Sequence, residues 1–430
     1  MKRRPLYLVF WSFGPSFNGE TLDERPLGGT ETALILTAKS LAALGERVVV
    51  YCACERPGRY AGVEYRRNEA IEQHGEPIDV LVAVRDLFPL TIGLRRRLAV
   101  YFSPDAYTQR FVRGLLDFGK GVEGTAADLI VPSLAELAGF YDFVFTVGRW
   151  QGETFVRHLG LAAERLFVTR NGLEPRNFPP PPGWEGRACN LVYSSTPFRG
   201  LDVLLDLFPH VRREVPEAEL HVFSGMQLYG LSDEEDRAGF GPLYDRARQE
   251  GVVLHGPVRQ AELASFLARS RLLAYPNTFD ETFCIAVLEA QAAGLPVVTT
   301  AAAALTERVE HGVDGWLIDP PAHGQRYQAE FVAACVRYLT ERPLWERSSS
   351  AARAKAIEFT YDTLARSWLD FFDRLGVSDR PASSPRLSSR DLPPRRSGDG
   401  NRFLARETQA AAYLEELAKR GLGRAARTFF

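Results

Sequence analysis

Two carboxylates eight residues apart, Glu281 and Glu289, lie in the window Tyr275-Pro-Asn-Thr-Phe-Asp-Glu281-Thr-Phe-Cys-Ile-Ala-Val-Leu-Glu289-Ala-Gln-Ala-Ala-Gly294-Leu-Pro-Val-Val. The window reads as strand, loop, helix, glycine stop and strand. Glu281 falls in the loop just before the helix and Glu289 inside it. Thr282 is the expected N-cap. The amides of Phe283, Cys284 and Ile285 would then point out of the positive end of the helix, which suits a phosphate or a polar hydroxyl. Two carboxylates on one rim can accept hydrogen bonds from vicinal hydroxyls, such as those of a sugar or a ribose. Acidic pairs at this spacing are common on solvated helices. The attached Gly294-Leu-Pro-Val-Val weights the reading toward chemistry.

The other chemistry-bearing side chains are scattered. Cys52, Cys54, Cys189, Cys284 and Cys335 form no CxxC, and Cys52-Ala-Cys54 sits in the apolar run VVVYCAC, which reads as buried thiols rather than a metal site. The seven histidines are isolated in sequence, with no HExxH and no DxD. No metal site is expected, and a reducing, cytoplasmic setting fits. At 430 residues the chain has room for about two or three domains. Its 45% hydrophobic and 25% charged residues rule out wholesale disorder. A net charge of −2 argues against a dedicated nucleic-acid binder. No apolar run reaches the roughly 18 residues of a membrane span. The N-terminal LYLVFW reads as a buried strand, not a signal segment.

These residues need a scaffold, and the apolar runs supply one. Strands are expected at 6–13, 46–54, 79–84, 97–102, 128–133 and 143–148, alternating with helices such as 30–44. Phe178-Pro-Pro-Pro-Pro-Gly183 breaks the pattern, because four prolines fit neither a helix nor a central strand. A hinge is expected over 179–188. Beyond it the alternation restarts, with strands at 190–195, 219–225, 252–256, 271–277, 296–300 and 315–319 and helices at 201–215, 261–270 and 283–293. The organisation predicted is an α/β chain: an N-terminal Rossmann-like domain over 1–178, a second over 189–358, and an amphipathic helix over 359–377 that crosses back to the first domain. Tyr361, Leu364, Trp368, Phe372 and Leu375 share one face of that helix. A disordered Pro/Ser/Arg linker is expected over 378–400 and a further amphipathic helix over 401–430. The basic and aromatic end of that helix, Arg420, Arg424, Arg427, Phe429 and Phe430, suggests docking to a partner or a membrane surface.

The 275–298 window resembles the E-x7-E signature of the retaining, nucleotide-sugar-dependent glycosyltransferases of family four. Gly28-Gly29-Thr30-Glu31 resembles that family's N-terminal glycine loop, and Arg170-Asn171-Gly172 its Asn-Gly turn. Ser194-Ser-Thr196-Pro-Phe-Arg199-Gly200 resembles its loop after the first C-terminal strand, and His311-Gly-Val-Asp-Gly315-Trp-Leu317 its final glycine turn. The resemblance covers roughly residues 1–375. It implies the GT-B fold, two doubly wound parallel-sheet domains facing a central cleft, here with a C-terminal helical extension.

By that resemblance Glu281 contacts the donor sugar and Glu289 the ribose hydroxyls. Arg199, standing where the family often has a lysine, would meet the diphosphate together with Thr196, Gly28, Gly29 and the amides of Phe283, Cys284 and Ile285. An arginine fork can take two phosphate oxygens at once. Glu281 and Arg199 are the expected catalytic pair, and Asp105 is a candidate on the acceptor side. The function implied is metal-independent transfer of a sugar to an acceptor hydroxyl with retention. No cofactor is implied beyond a UDP- or GDP-linked co-substrate.

The chain departs from the family at three places: Ser194 and Ser195 where a second basic residue is usual, no histidine at Tyr101–Asp105, and Ala301–Ala304 for a glycine-rich turn. Those departures keep a non-catalytic sugar-nucleotide binder or scaffold open as an alternative, beside a nucleotide-sugar epimerase. A pyridoxal-dependent phosphorylase is disfavoured, because Lys355 alone would have to serve. The acceptor, whether glycan, lipid-linked sugar, small molecule or protein, is not legible.

Overall fold

A computed structural model describes residues 4–109, 112, 134, 135 and 137–384 of the chain. The strand expected at 128–133, most of the linker and the helix at 401–430 with its basic end lie outside the described residues. Contacts divide the chain into two units. The first gathers residues up to Thr21, Thr30–Asn171 and the chain from Tyr361, and the second holds Leu22–Gly29 and Gly172–Thr360.

The first unit is built on an eight-stranded sheet of order β3-β4-β2-β1-β5-β6-β7-β8. Its strands are β1 (Tyr7–Ser12), β2 (Arg47–Cys52), β3 (Gly58–Tyr60), β4 (Val63–Arg67), β5 (Ile78–Val84), β6 (Arg96–Ser103), β7 (Phe143–Thr146) and β8 (Leu166–Val168). Every pairing is parallel except β3 with β4. All six residues of β1 are buried, and Phe10 stands between Val50 and Val82 in register. A strand covered on both faces needs a continuous apolar run, which is what YLVFWS supplies.

The amphipathic C-terminal helix, Tyr361–Arg374, belongs to this unit. Trp368 lies fully buried among Phe10, Phe102 and Phe145, with ring centroids 6.0, 6.1 and 4.9 Å away, and its indole N–H donates to Thr169. Order continues beyond it, so the linker does not start at Ser378. A helical turn spans Val377–Asp379, and Ser383 exchanges two backbone hydrogen bonds of 2.9 Å with Arg96, because the first residue of β6 leaves its N–H and C=O open on that side.

The second unit carries an all-parallel sheet of order β11-β10-β9-β12-β13-β14. Its strands are β9 (Asn190–Tyr193), β10 (Glu219–Val222), β11 (Val252–Leu254), β12 (Leu272–Tyr275), β13 (Val297–Thr300) and β14 (Gly315–Ile318). Counted from β9, this is the doubly wound order 3-2-1-4-5-6, and the winding reverses between β9 and β12. The helix after β9, Leu201–Glu214, buries Leu201, Leu204, Leu205, Phe208 and Val211 along one face.

Several elements escaped the sequence reading, among them the helices Arg149–Leu159 and Gln325–Thr340. The β3–β4 hairpin and β8 are too short and too mixed to stand out. The helix Asp233–Arg246 contains Gly239, Gly241 and Pro242, which mask its periodicity, yet Ser232 and Glu235 form a capping box that marks its start.

Candidate functional site

The reversal between β9 and β12 is where a doubly wound sheet opens a crevice at the carboxyl ends of its strands. Two loops meet there. One runs from Ser194 to Gly200, after β9, and the other from Pro276 to Cys284, after β12. Gly200 has φ +107°, and a Cβ placed on it would lie 2.0 Å from the carbonyl oxygen of Pro276. Only glycine permits that approach, and the approach carries Arg199 to the second loop.

Arg199 Nη1 donates to Glu281 Oε1 at 2.8 Å, and the Tyr275 hydroxyl donates to the same oxygen at 2.6 Å. Ser195 Oγ lies 3.4 Å from the Tyr275 oxygen. The Arg199 guanidinium rests over the Phe279 ring at 4.3 Å and beside Phe198 at 5.2 Å. Its Nη2 reaches the Tyr229 hydroxyl at 3.5 Å. Burial opposes the Arg199 charge, but Glu281 and the neighbouring tyrosines more than compensate and hold the group protonated well above its ordinary range. Burial, reinforced by the Glu281 charge, pushes the Tyr275 phenol and the Cys284 thiol well up, so both stay protonated. This leaves a carboxylate fixed through one oxygen by a cation and a phenol.

Around this cluster lie buried polar atoms with no partner among the described residues: Ser194 Oγ, Thr196 Oγ1, Arg199 Nε, Ser224 Oγ and the amide oxygen of Gln227. They follow β9 and β10 in sequence and so gather at the carboxyl edge of the sheet. Buried hydroxyls left without partners each cost free energy unless something fills the space. A guanidinium edge and three hydroxyls suit an anion rich in oxygen acceptors.

Glu289 lies on the helix Ile285–Ala292 and is held apart from the Arg199–Glu281 pair. Gln260 Nε2 donates to Glu289 Oε1 at 2.6 Å, and Asn177 Nδ2 donates to Gln260 Oε1 at 3.2 Å. Burial lifts the Glu289 carboxyl to about 7, and the Gln260 bond only partly offsets this.

The start of this helix corrects the sequence reading. Its N-cap is Cys284, not Thr282, and Cys284 adopts a left-handed backbone with φ +66° and ψ 82°. Phe283 is buried, with the Arg308 guanidinium 4.6 Å from its ring centroid. The chain therefore turns once more after Phe283 before entering the helix. Phe283 and Cys284 lie outside it, and Ile285 is its first residue.

Gly28 and Gly29 close the Leu22–Gly29 segment of the second unit, and Gly29 is the first residue of the helix Gly29–Ala43, whose remainder lies in the first unit. Asp105 follows β6. Arg85 Nε donates to Asp105 Oδ2 at 2.9 Å, and Arg85 Nη1 donates to Glu31 Oε1 at 3.1 Å. Gln151 Nε2 donates to the backbone oxygens of Ser103 and Asp105, both at 2.8 Å. Of the residues selected from sequence, the structure thus brings together Arg199 and Glu281, with Thr196 on the same loop as Arg199. It adds Tyr275, Tyr229, Gln260, Ser224, Arg85 and Gln151, which carry no spacing signal because each reaches its partner only through the fold.

Two doubly wound parallel-sheet units with this strand order define the fold as that of the GT-B glycosyltransferases. Solved structures agree: sucrose-phosphate synthase from Thermosynechococcus elongatus superposes with a TM-score of 0.64 at 14% identity, over 88% of this chain and 100% of that one. Anabaena Alr3699/HepE in complex with UDP-glucose gives 0.61 at 17% identity, over 86% and 100%. Residues 189–341, which hold the Arg199–Glu281 site, match the family described as glycosyl transferases group 1. A D-inositol 3-phosphate glycosyltransferase of Streptomyces griseus is 32% identical over 193 residues, 44% of this chain and 38% of its own length. One from Nocardioides is 31% identical over 194 residues, covering 43% and 41%. The chain spans about four tenths of the length of these curated relatives. Among the described residues, no helix is long and apolar enough to cross a membrane.

Proposed function

We propose that the chain is a glycosyltransferase that moves a sugar from a nucleoside-diphosphate donor to an acceptor hydroxyl, with retention at the anomeric carbon and without a metal. The observation that carries this reading is the Arg199–Glu281–Tyr275 cluster beside unpartnered buried hydroxyls at the sheet's winding reversal.

In this reading the diphosphate lies over the Ser194–Gly200 loop. Ser194 and Thr196 donate to its oxygens, and the Nε edge of Arg199 grips them while Nη1 stays on Glu281. Glu281 accepts from a sugar hydroxyl through its second oxygen, and Glu289 accepts from the ribose. As the bond from the anomeric carbon to the phosphate oxygen breaks, Arg199 and the hydroxyls stabilise the charge growing on the diphosphate. The acceptor oxygen bonds to the same face of that carbon. Its proton passes to a leaving phosphate oxygen, so no base from the protein is consumed. A UDP-linked donor is the first choice, in line with the UDP-glucose held by the Anabaena neighbour.

The test is turnover of UDP-, GDP-, ADP- and dTDP-sugars in EDTA, with a thermal-shift screen of the same nucleotides. One donor should be consumed, and the product should keep the donor's anomeric configuration by NMR. Wild-type rates in both Glu281→Gln and Arg199→Ala would refute the assignment.

A further inference from the structure

We propose that Cys52 and Cys54, in the first unit, form a peroxide-sensitive dithiol: oxidation by a hydroperoxide joins them in a reversible disulfide and loosens the loop after β1 from the end of β2. Neither thiol takes part in the proposed sugar transfer, so the site stands without that reading.

The backbone folds the two residues toward each other. β2 ends at Cys52, and the chain bends at Ala53. The Cys54 N–H donates to the Cys52 carbonyl at 2.6 Å, which closes a γ-turn. Residues two apart across such a turn have their Cα atoms within the about 4.4–6.8 Å that a disulfide spans. The single Cys52 thiol proton has two acceptors, the Phe17 carbonyl at 3.2 Å and the Cys54 sulfur. Both cysteines are buried, but Ala53 and Glu55 on either side of Cys54 are exposed, so the turn lies at the surface, within reach of a small oxidant.

The surroundings select the attacking sulfur. Cys52 stands in register with Arg67 of β4, and Arg56 follows Cys54 by two residues. The Cys52 hydrogen bond, joined by the Arg56 backbone N–H and the charges of Arg67 and Arg56, outweighs burial and brings the Cys54 thiol down to about 7. The same hydrogen bond, with burial, pushes the Cys52 thiol well up. Cys54 is therefore the nucleophile and Cys52 the resolving thiol. The Cys54 thiolate attacks an oxygen of the hydroperoxide. A sulfur–oxygen bond forms, the oxygen–oxygen bond breaks, and the departing alkoxide or hydroxide takes a proton from solvent. Sulfur is oxidised to a sulfenic acid, and the peroxide is reduced to an alcohol or water. Cys52 then attacks the Cys54 sulfur. The sulfur–sulfur bond forms, the sulfur–oxygen bond breaks, and the leaving hydroxide takes the Cys52 proton to become water.

The loop after β1 reads the state of this pair. Phe17 is buried with its ring edge-on to Tyr65, centroids 6.3 Å apart, and its carbonyl accepts from the Cys52 thiol. Asn18 Nδ2 donates to the Arg56 carbonyl at 3.5 Å. The loop is thus tied to the chain on both sides of Cys54. A disulfide consumes the Cys52 proton, so the Phe17 carbonyl loses that donor, and it reshapes the turn that leads to Arg56.

The experiment exposes the full chain, first reduced and freed of reductant, to hydrogen peroxide at neutral pH, followed by alkylation, digestion and mass spectrometry. The peptide that holds Cys52 and Cys54 should lose two hydrogens and resist alkylation, and dithiothreitol should restore it. Cys189 is the internal comparison, because it is more exposed while burial raises its thiol. The Cys52–Cys54 pair should react at least about tenfold faster than Cys189, as thiolate character outweighs exposure. Cys54→Ser, with its fold checked by a circular dichroism melt, should slow oxidation at Cys52 at least about tenfold. In Cys52→Ser the Cys54 sulfenic acid should persist and be trapped by dimedone. Hydrogen exchange over residues 14–20 should rise about threefold or more in the oxidised chain. The inference is overturned if Cys189 oxidises first, if Cys52 in folded Cys54→Ser oxidises at the wild-type rate, if either sulfur pairs with another cysteine instead, or if exchange over 14–20 is the same in the reduced and oxidised chains.

Discussion

The Tyr275 hydroxyl donates to Glu281 Oε1 at 2.6 Å, the same oxygen that takes the 2.8 Å bond from Arg199. Glu281 is thereby fixed through one oxygen. Tyr275→Phe removes one of the two anchors without changing the shape of the buried ring. Turnover of the nucleotide sugar should fall about tenfold, equivalent to roughly 1.4 kcal/mol. UDP affinity should stay within about threefold, because Arg199 and the loop hydroxyls remain. A comparison of kcat with the Kd for UDP checks this. A Kd that rises as much as kcat falls would place Tyr275 in nucleotide binding instead.

Glu289 gives the site a pH dependence. Burial raises its carboxyl to about 7 in the folded chain, above the ordinary carboxylate value. The folded state therefore binds the proton more tightly than the unfolded state. The stability linked to this proton is full below the unfolded pKa of about 4.3 and is lost as pH rises through the folded value. The Tm of the free protein should accordingly decline between pH 5 and 8 through this group. Ribose hydroxyls donate to the ionised form, so nucleotide affinity should rise over the same interval, and binding at pH 6.5 should release a fraction of a proton. Calorimetry in buffers of different ionisation enthalpy measures that proton, and Glu289→Gln should abolish it.

Gly200 is the contact point of the two site loops. Gly200→Ala combines φ +107° with a Cβ 2.0 Å from the Pro276 carbonyl, and neither backbone can yield without moving Arg199. A loss of at least about 2 kcal/mol in stability is expected, together with loss of the nucleotide-induced thermal shift. A variant with unchanged melting and unchanged UDP response would show that the approach is not required.

Trp368 ties the last described helix into the first unit. Trp368→Ala removes a ring packed on Phe10, Phe102 and Phe145 and leaves Thr169 without its indole donor. The cost should be about 3–5 kcal/mol. Denaturant unfolding followed by circular dichroism checks it, and a loss under about 1 kcal/mol would mean that the helix is peripheral to that core.

The order of residues set the alternation of strands and helices, since a strand covered on both faces must be apolar along its length and a covering helix along one side. It also singled out Glu281 and Glu289, whose spacing is local and survives in one dimension, while Arg199 was selected through the resemblance of the Ser194–Gly200 segment to a family motif. Which groups face them follows from the folding of the chain in three dimensions. Tyr275 and Arg199 meet at one oxygen of Glu281 although 76 positions separate them. Arg85 is held between Glu31 and Asp105 by three different elements. Gln260 reaches Glu289 from another helix. The left-handed turn at Cys284, which delays the helix and displaced the expected cap, was equally hidden, because cysteine carries no local preference for that backbone. Hydrogen bonds between distant residues leave no periodicity in the chain. They arise when parallel strands bring their carboxyl ends to one edge, and there the fold, not the order of residues, chooses the partners.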